Sequence, residues 1–364
     1  MADVSSGARG VTSVVTMKDV ARAAGVSQAA VSYAFSNSPK VSASQRDHIY
    51  AVAQSLSYAG PNIVGSSLRS GRVGAVGIMV MESLGHALED PSTMLLMKGV
   101  VEVNELADVA LTLLPLVSSR EEGFNSPAVR GLVDGVVLHN VTPTHPIIAA
   151  LVHSGTPAVA IDSPADCGLP FIGIDDRAAG FKQMAHLLDL GHRKIGVVCE
   201  RLNIGGTDGP ITQAVVEHSS ERVQRDRILG YFDAVTARGD SGIAIEVYEA
   251  SGIDRDSGVR AVRSMIENLN PTAIAATSDV FAVAALSLLR GMNIPVPELV
   301  SVVGFDDAPI AELMDLTTVR QPLVEKGRAA ASMLLDNIDG AKRRQKIFKT
   351  KLIVRNSTGP VSTL

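Results

Sequence analysis

The sequence contains no tryptophan, two cysteines and few aromatic residues of any kind. Cys167 and Cys199 are too few for a disulfide scaffold or a cysteine metal cluster, and they fit a reducing compartment. No uninterrupted apolar run reaches the roughly 18 residues of a membrane-spanning helix. Residues 1–15 lack the basic start and the apolar stretch of a signal peptide, so we expect a disordered tail there and a cytoplasmic protein with no membrane partner.

Positive charge is in excess only near the N-terminus. Residues 16–72 hold six Lys or Arg and two acidic residues, a net charge of +4, whereas residues 73–364 hold 26 and 35, a net charge of −9. The length of 364 residues indicates two or three domains. A small basic module binds phosphates weakly and with strong salt dependence, so we expect it to reach useful affinity for DNA as a dimer.

The segment from Thr16 to Ser36 predicts two short helices joined by a tight turn. Thr16 is a suitable N-cap, and Asp19 completes a capping box. Gly25 supplies the left-handed residue that ends the first helix, and Ser27 caps the second helix two residues later. Helices joined this closely cross steeply, as in a helix-turn-helix unit, although a plain helical hairpin has the same pattern. The outward positions of the second helix, which we predict to read bases, are Gln28, Ala29, Ser32 and Tyr33.

A third helix follows, opened by a second capping box of Ser42 and Gln45. Three helices within about forty residues have only a marginal core, which suits a DNA-reading headpiece over residues 16–60 better than an enzyme domain. Gly60 and Pro61 then break the helical pattern. We expect a linker over residues 61–72, with a hinge helix that orders only when it is packed against a partner and DNA.

From Val73 onward the pattern changes to near-continuous apolar runs separated by helical segments. The runs cover residues 73–81, 109–114, 135–138, 158–161, 194–199, 243–248, 273–277 and 299–305. They predict an α/β protein with two doubly wound lobes, each on a mainly parallel sheet covered on both faces. We assign residues 73–174 and 323–345 to the N-terminal lobe, and residues 175–322 and 346–364 to the C-terminal lobe.

A ligand of such a fold binds at the C-terminal ends of the strands. Polar residues at these ends are Glu82, Ser83, His139, Asn140, Asp162, Glu200, Arg201, Ser278, Asp279, Asp306 and Asp307. They do not combine into the Ser, His and Asp arrangement of a hydrolase, and the glycine-rich segments lack the Lys and Ser or Thr of a phosphate loop. The histidines lack metal-ligand spacing. We therefore predict no catalytic residue, no metal and no cofactor.

These features together resemble the LacI/GalR family of transcriptional regulators over residues 16–359. The resemblance is carried by TMKDVARAAGVSQAAVS at 16–32, LSY at 56–58, LGHRKI at 190–195, VVGFDD at 302–307 and LTTVRQP at 316–322. It implies a helix-turn-helix headpiece on a body related to periplasmic sugar-binding proteins. It also implies an allosteric homodimer on a pseudopalindromic operator of double-stranded DNA.

The resemblance implies DNA contacts in the headpiece and hinge. The implied residues are Thr16, Ser27, Gln28, Ala29, Ser32, Tyr33, Asn37, Ser42, Asn62 and Leu68. Gln28 and Ala29 occupy base-reading positions, and Leu68 stands where the family inserts a leucine wedge between base pairs. Tyr33 replaces an Arg of many members and either packs or bonds to phosphate, so the operator sequence does not transfer from relatives.

The resemblance also implies a small effector between the lobes. The implied contacts are Ser83, Asp162, Arg227, Ser278, Phe281 and Asp306. An arginine with two carboxylates suits a polyol, because each group makes two directional hydrogen bonds to neighbouring hydroxyls. A sugar or sugar derivative is the favoured effector, and a purine or nucleoside is the alternative. We expect residues 201–220, which are longer than usual in the family, to form a mobile loop over the cleft.

The sequence thus predicts a ligand-controlled DNA-binding regulator, which we expect to be a repressor. A solute-binding protein or sensor is the second possibility, and the basic headpiece argues against it. An enzyme on a doubly wound fold is the third, and the sequence lacks a catalytic constellation for it.

Overall fold

The computed structural model describes residues 15–36, 38–60, 72–81, 84–103, 109–116, 126–202, 206–340 and 345–362. The chain divides into two compact units, residues 1–73 and 74–364. The helices of the described ranges are α1 (Met17–Ala24), α2 (Gln28–Phe35), α3 (Ala43–Ser55), α4 (Leu84–Glu89), α5 (Pro91–Val101), α6 (Pro146–Ser154), α7 (Asp176–Asp189), α8 (Gln213–Glu217), α9 (Arg222–Arg238), α10 (Arg255–Leu269), α11 (Asp279–Gly291), α12 (Pro309–Leu313) and α13 (Leu323–Ile338). The strands are β1 (Ala75–Val80), β2 (Ala110–Pro115), β3 (Gly135–His139), β4 (Ala158–Ile161), β5 (Phe171–Ile174), β6 (Lys194–Cys199), β7 (Gly209–Ile211), β8 (Ala244–Glu249), β9 (Ala273–Ala276), β10 (Ser301–Asp306), β11 (Thr317–Arg320), β12 (Gln345–Phe348) and β13 (Lys351–Ile353).

The first unit contains the three short helices α1, α2 and α3. The carboxylate of Asp19 accepts hydrogen bonds from the backbone N–H and the hydroxyl of Thr16, which holds the start of α1. Gly25 ends α1 with a φ of 65°, a left-handed conformation that glycine adopts without steric cost. The helices bury one small apolar core, formed by Val20, Ala21, Ala24, Val31, Ala34, Val41, Ile49 and Ala53.

The second unit contains two sheets. The first has the strand order β12-β5-β4-β3-β1-β2 and is parallel throughout. The second has the order β13-β11-β10-β9-β6-β8-β7, with antiparallel pairs only at its two edges. We call each sheet, with the helices packed on it, the first and the second lobe. The predicted doubly wound α/β fold is confirmed.

The chain passes between the lobes after β5, after β11 and after β12. Helix α13 packs on α5 and on β3, β4 and β5, so it belongs to the first lobe. Strand β12 pairs with β5, and residues 346–348 therefore lie in the first lobe, whereas the sequence analysis assigned them to the second. The apolar-run criterion misses β12 because this edge strand is largely exposed and carries Lys346.

One pair of helices in each lobe crosses at facing glycines. Gly99 of α5 and Gly327 of α13 form the crossing in the first lobe, and Gly180 of α7 and Gly230 of α9 form it in the second. A Cβ at any of these positions would overlap a backbone carbonyl of the facing helix, which at Gly180 is that of Arg227. The absence of a side chain therefore sets the close approach of the helices, and the second crossing fixes the turn of α9 that carries Arg227.

Residues 201–220 differ from the predicted mobile loop. Residues 203–205 lie outside the described part, but β7 pairs with β8 and α8 follows directly. The carboxylate of Asp208 accepts hydrogen bonds from Ser251 and Arg260, and the hydroxyl of Ser219 donates to the carbonyl of Leu202. The prediction is wrong for residues 206–220, because strand pairing and tertiary hydrogen bonds hold them. None of the helices in the described ranges is long and apolar enough to cross a membrane.

Candidate functional site

The N-terminal end of α2 is open to solvent. Ser27 caps it by accepting the backbone N–H of Ala30 at 3.1 Å, and the next residues, Gln28 and Ala29, are exposed. The opposite face of the helix is buried through Val31. Because the first N–H groups of a helix have no partner within it, this end presents backbone donors beside two exposed side chains, an arrangement suited to phosphates and base edges.

The other predicted headpiece contacts differ in exposure. Thr16 and Ser42 are exposed at the N-caps of α1 and α3, and Ser32 is half-buried. Tyr33 is also half-buried rather than fully outward, because its ring packs against the headpiece core and the Lys40 ammonium lies 4.9 Å from the ring centroid. Tyr33 therefore packs as part of the headpiece, and its contact with DNA stays a prediction.

Four predicted site residues lie outside the described residues, namely Asn37, Asn62, Leu68 and Ser83. The predicted hinge helix and leucine wedge fall in the same undescribed range, residues 61–71. Their roles stay predictions.

Asp162 and Asp306 mark the C-terminal edges of the two sheets. Asp162 follows β4 in the first lobe, and Asp306 ends β10 in the second. Both backbones have a positive φ, 63° and 117° respectively. Such conformations cost a residue with a side chain about 1–3 kcal/mol and concentrate at functional sites.

A buried lysine joins these two carboxylates. Lys326 of α13 is fully buried, and its ammonium donates to both carboxylate oxygens of Asp162, at 2.6 and 2.7 Å, and to Gln321 Oε1 at 2.8 Å. The amide nitrogen of Gln321 donates in turn to Asp306 Oδ1 at 2.6 Å. Gln321 lies on the crossing between the lobes, so the network runs from one sheet edge to the other.

Arg227 lies beside Asp306 on the second lobe. Its Nε donates to Asp176 Oδ1 at 2.9 Å and its Nη1 to the carbonyl of Thr277 at 2.6 Å, and Nη1 lies 3.8 Å from Asp306 Oδ1. The guanidinium also stacks over the ring of Phe305, 3.7 Å from the ring centroid. The predicted trio of Asp162, Arg227 and Asp306 therefore lies in one polar cluster.

Two further hydrogen bonds link the lobes directly. The hydroxyl of Ser92 on α5 donates to Asp306 Oδ2 at 2.9 Å, and Arg222 at the start of α9 donates to the carbonyl of Asp162 at 2.7 Å. Both bonds use the residues predicted to bind the effector. Asp306 contributes a carboxylate oxygen to these bonds and Asp162 its backbone carbonyl.

The remaining predicted effector contacts have other surroundings. Ser278 is buried at the N-cap of α11, where its hydroxyl accepts the N–H of Phe281. Phe281 is fully buried in the core of the second lobe, with its ring against Gly258 of α10. The predicted cleft contact of Phe281 is therefore corrected to core packing, because its position on α11 directs the ring toward α10. The carboxylate of Asp307, the other acidic residue at the end of β10, pairs with Arg320 and Arg355.

Burial of carboxyl groups dominates the electrostatics of the cleft. It raises the pKa of Glu200 to about 8, and the nearby charge of Asp90 adds to this shift. Burial also raises the pKa of Asp306 to about 6, although Arg227 opposes the shift. The pKa of His139 is lowered by burial, so its imidazole is neutral at pH 7 and adds no positive charge. The Glu200 carboxyl is therefore mostly protonated at pH 7.

The sequence analysis missed Lys326, Asp176 and Ser92 as members of the cluster. For Lys326 a signal was present, since it follows Leu323 by three residues and precedes Ala330 by four, on the apolar face of α13. A lysine on such a face is buried only with a partner. Asp176 and Ser92 gave no signal, because ordinary residues at a helix start acquire a role only through the distant residues they meet.

Comparison with known proteins identifies this combination of headpiece and body. A family model of bacterial regulatory proteins, lacI family, matches residues 16–62, and one of a periplasmic binding protein-like domain matches residues 184–358. Over 350 residues the chain is 34% identical to the HTH-type transcriptional regulator Rv3575c of Mycobacterium tuberculosis, a match that covers 95% of this chain and 97% of that protein. The chain belongs to the LacI family. The resemblance inferred from the sequence is confirmed.

Solved structures agree with this assignment. A LacI-family regulator from Corynebacterium glutamicum matches with a TM-score of 0.71 and 30% identity, over 95% of this chain and 98% of that one. The regulator CelR in complex with cellobiose matches with a TM-score of 0.67 and 27% identity, over 94% and 99%. The lac repressor dimer bound to operator and an anti-inducer shares the fold, with a TM-score of 0.77 and 22% identity, over 95% and 99%. This LacI-family chain is therefore a DNA-binding transcriptional regulator with a ligand-binding body.

Proposed function

We propose that this LacI-family regulator is a cytoplasmic homodimeric repressor, without catalytic activity, whose operator binding is controlled by a sugar-like effector between its lobes. The observation that carries the proposal is the polar cluster of the cleft. Asp162, Arg227 and Asp306 are far apart in the sequence, yet one network through Lys326 and Gln321 brings them together. Carboxylates and a guanidinium at this spacing suit the neighbouring hydroxyls of a polyol.

Control of DNA binding follows from where the cluster lies. The bonds of Ser92 to Asp306 and of Arg222 to Asp162 hold the two lobes together. A ligand that binds the same groups changes the free energy of lobe closure and so shifts the protein between two states. The relative named CelR forms a complex with cellobiose, which supports a sugar-like effector for this protein.

A homodimer fits the weak binding expected of one headpiece. Two headpieces on adjacent half-sites raise the affinity through their high effective concentration. Helices α4 and α5 offer a surface for the second copy, because Leu88, Met94 and Val101 are exposed there. Sedimentation of the full chain at micromolar concentration should give a dimer, and a monomer would contradict this part of the proposal.

The DNA side is tested by selecting fragments of genomic DNA with the full chain and measuring gel shifts on the enriched sequence. Replacing a base-reading side chain typically costs about 1–3 kcal/mol of binding free energy, and we expect this for Gln28→Ala. The control Gln54→Ala, an exposed position of α3, should bind like the wild type. Equal binding by the two variants would refute the base-reading role of α2.

The effector side is tested by thermal unfolding of the full chain with sugars, polyols and nucleosides. A ligand at 100 times its Kd stabilises the folded state by about 2.7 kcal/mol, and the active compound should also release the selected DNA. Arg227→Ala should abolish both effects. Full effector affinity in this variant would refute the assignment of the cleft, and stabilisation by nucleosides alone would favour the alternative effector class.

A further inference from the structure

We infer that Tyr33 is a positioning residue, whose ring holds the ammonium of Lys40 for contact with a DNA phosphate beside the base-reading end of α2. This inference deepens the DNA-reading role proposed for α2 and rests on it. Tyr33 then contributes to DNA binding through the lysine and not through its own hydroxyl.

The loop between α2 and α3 is held close to Tyr33. The backbone N–H of Ser38 donates to the carbonyl of Tyr33 at 3.0 Å, and the carbonyl of Ser38 accepts a hydrogen bond from Arg46 Nη2 at 2.9 Å. Val41, the residue after Lys40, is 5% exposed and packs in the headpiece core. The backbone on both sides of Lys40 is therefore fixed with respect to α2.

The side chain of Lys40 completes the contact with the ring. Lys40 is exposed, and its ammonium lies 4.9 Å from the centroid of the Tyr33 ring. Among the described residues no carboxylate forms an ion pair with it. The negative face of an aromatic ring attracts a cation without neutralising its charge. The ammonium is thus held at one place while its full charge remains available to an anion.

The contact lies on the side of α2 that we predict to face DNA. Tyr33 follows Ala29 by four residues, so it lies one turn further along the same face of the helix. The N-terminal residues of a recognition helix contact base edges in the major groove, and phosphates border this groove. An ammonium one turn beyond Ala29 is therefore suited to a phosphate at the edge of the groove, which lysine binds as a point charge.

Positioning should raise the affinity because it lowers the cost of ordering the lysine. A lysine that moves freely loses much of its rotamer freedom on binding, whereas a side chain already held in place loses less. A phosphate contact carries no direct information about the bases. The gain should therefore be equal for the operator and for unrelated DNA.

The test measures the Kd of the full chain for the selected DNA and for unrelated DNA of the same length, over a range of salt concentrations. Lys40→Gln should reduce the steepness of the salt dependence, the slope of log K against log salt, by about 0.9 for each bound headpiece. Both DNAs should be affected equally. The matched control is Lys182→Gln, the same change at an exposed position of α7, which should keep the wild-type slope. A wild-type slope in Lys40→Gln would overturn the phosphate contact.

Two substitutions of Tyr33 separate its ring from its hydroxyl. Tyr33→Leu should weaken binding about two- to fivefold for each bound headpiece, the range expected for an exposed contact between a cation and a ring. Tyr33→Phe keeps the ring and should bind like the wild type. Weaker binding by Tyr33→Phe would assign the contribution to the hydroxyl and overturn the inference.

A double variant separates positioning from packing, because Tyr33 also packs against the headpiece core. If Tyr33 acts through Lys40, Tyr33→Leu should cause no further loss of binding in protein that carries Lys40→Gln. An equal loss with and without Lys40→Gln would mean that leucine disturbs the packing, and it would overturn the inference. None of these results changes the test of base reading by Gln28→Ala, so failure of the inference and failure of the proposed role of α2 are distinguishable.

Discussion

Breaking the buried ion pair of Lys326 and Asp162 should strongly destabilise the ligand-binding body. Lys326 is fully buried and Asp162 is 7% exposed, and two hydrogen bonds of 2.6 and 2.7 Å join the ammonium to the carboxylate. The substitution Lys326→Met keeps a side chain of similar length and removes the charge. It leaves the Asp162 carboxylate and the Gln321 carbonyl without their donor in a buried site.

The loss of unfolding free energy in Lys326→Met follows from the burial of the pair. Removing one partner of a buried pair typically costs about 3–5 kcal/mol, because the other charge stays buried without compensation. The double variant Lys326→Met with Asp162→Asn leaves neither charge of the pair, so it should be more stable than the sum of the two single variants predicts. The difference is a coupling free energy, which for residues in direct contact lies at about 0.5–3 kcal/mol.

Urea unfolding of the full chain, followed by circular dichroism, measures these free energies, because the second unit supplies most of the helical signal. Lys182→Met is the matched control, since Lys182 is an exposed lysine on α7. The control should unfold like the wild type. The reasoning is refuted if Lys326→Met costs less than about 1 kcal/mol, the scale of an exposed pair, or if the double variant is no better than additive.

Three further predictions concern the cleft, a helix crossing and the headpiece. The Glu200 carboxyl has a folded pKa of about 8 against an ordinary value of 4.5, so the folded state holds the proton more tightly and stability falls as the pH rises from 4.5 to 8. Glu200→Gln should remove this decrease in stability and should be about 2–4 kcal/mol more stable than the wild type at pH 8. If the free energy of unfolding in urea changed with pH equally in both proteins, the prediction would be contradicted. Gly180→Ala places a Cβ against the carbonyl of Arg227 and should cost about 1–3 kcal/mol in the same assay. Gly291→Ala, with no atom within 4 Å of the added Cβ, should not destabilise the protein, and equal stability of the two variants would refute the packing argument. Ser27→Ala removes the cap of α2 and should cost about 1 kcal/mol, seen as faster amide exchange in the headpiece; unchanged exchange would mean that the cap contributes nothing.

Much of the fold could be predicted from local patterns. The end of α1 at Gly25 and the start of α2 after Ser27 follow from the backbone preferences of single residues. The apolar runs identified eight strands because buried parallel strands are apolar on both faces. The apolar runs missed β7, β11, β12 and β13, which are short or polar, and also β5, which is as long and as buried as β4.

The site was predicted less completely than the fold. Asp162 and Asp306 could be found because a strand end is a position along the sequence. Their partners could not, since Lys326 is 164 residues from Asp162 along the chain. Phe281 was misplaced for a related reason, because its position at a helix start next to the cleft does not tell which way its ring points.

The sequence by itself determined the types of domain in this protein, since helix caps, glycine turns and apolar periodicity depend on residues that are close together in the chain. They were enough for the helix-turn-helix unit and the two lobes, and the quoted motifs carried the resemblance to the family. Only the tertiary structure decided which side chains contact each other in the cleft and which of its carboxylates have partners. Hydrogen bonds and charge interactions act between neighbours in space, so the composition of the cleft depends on which distant residues the fold brings together.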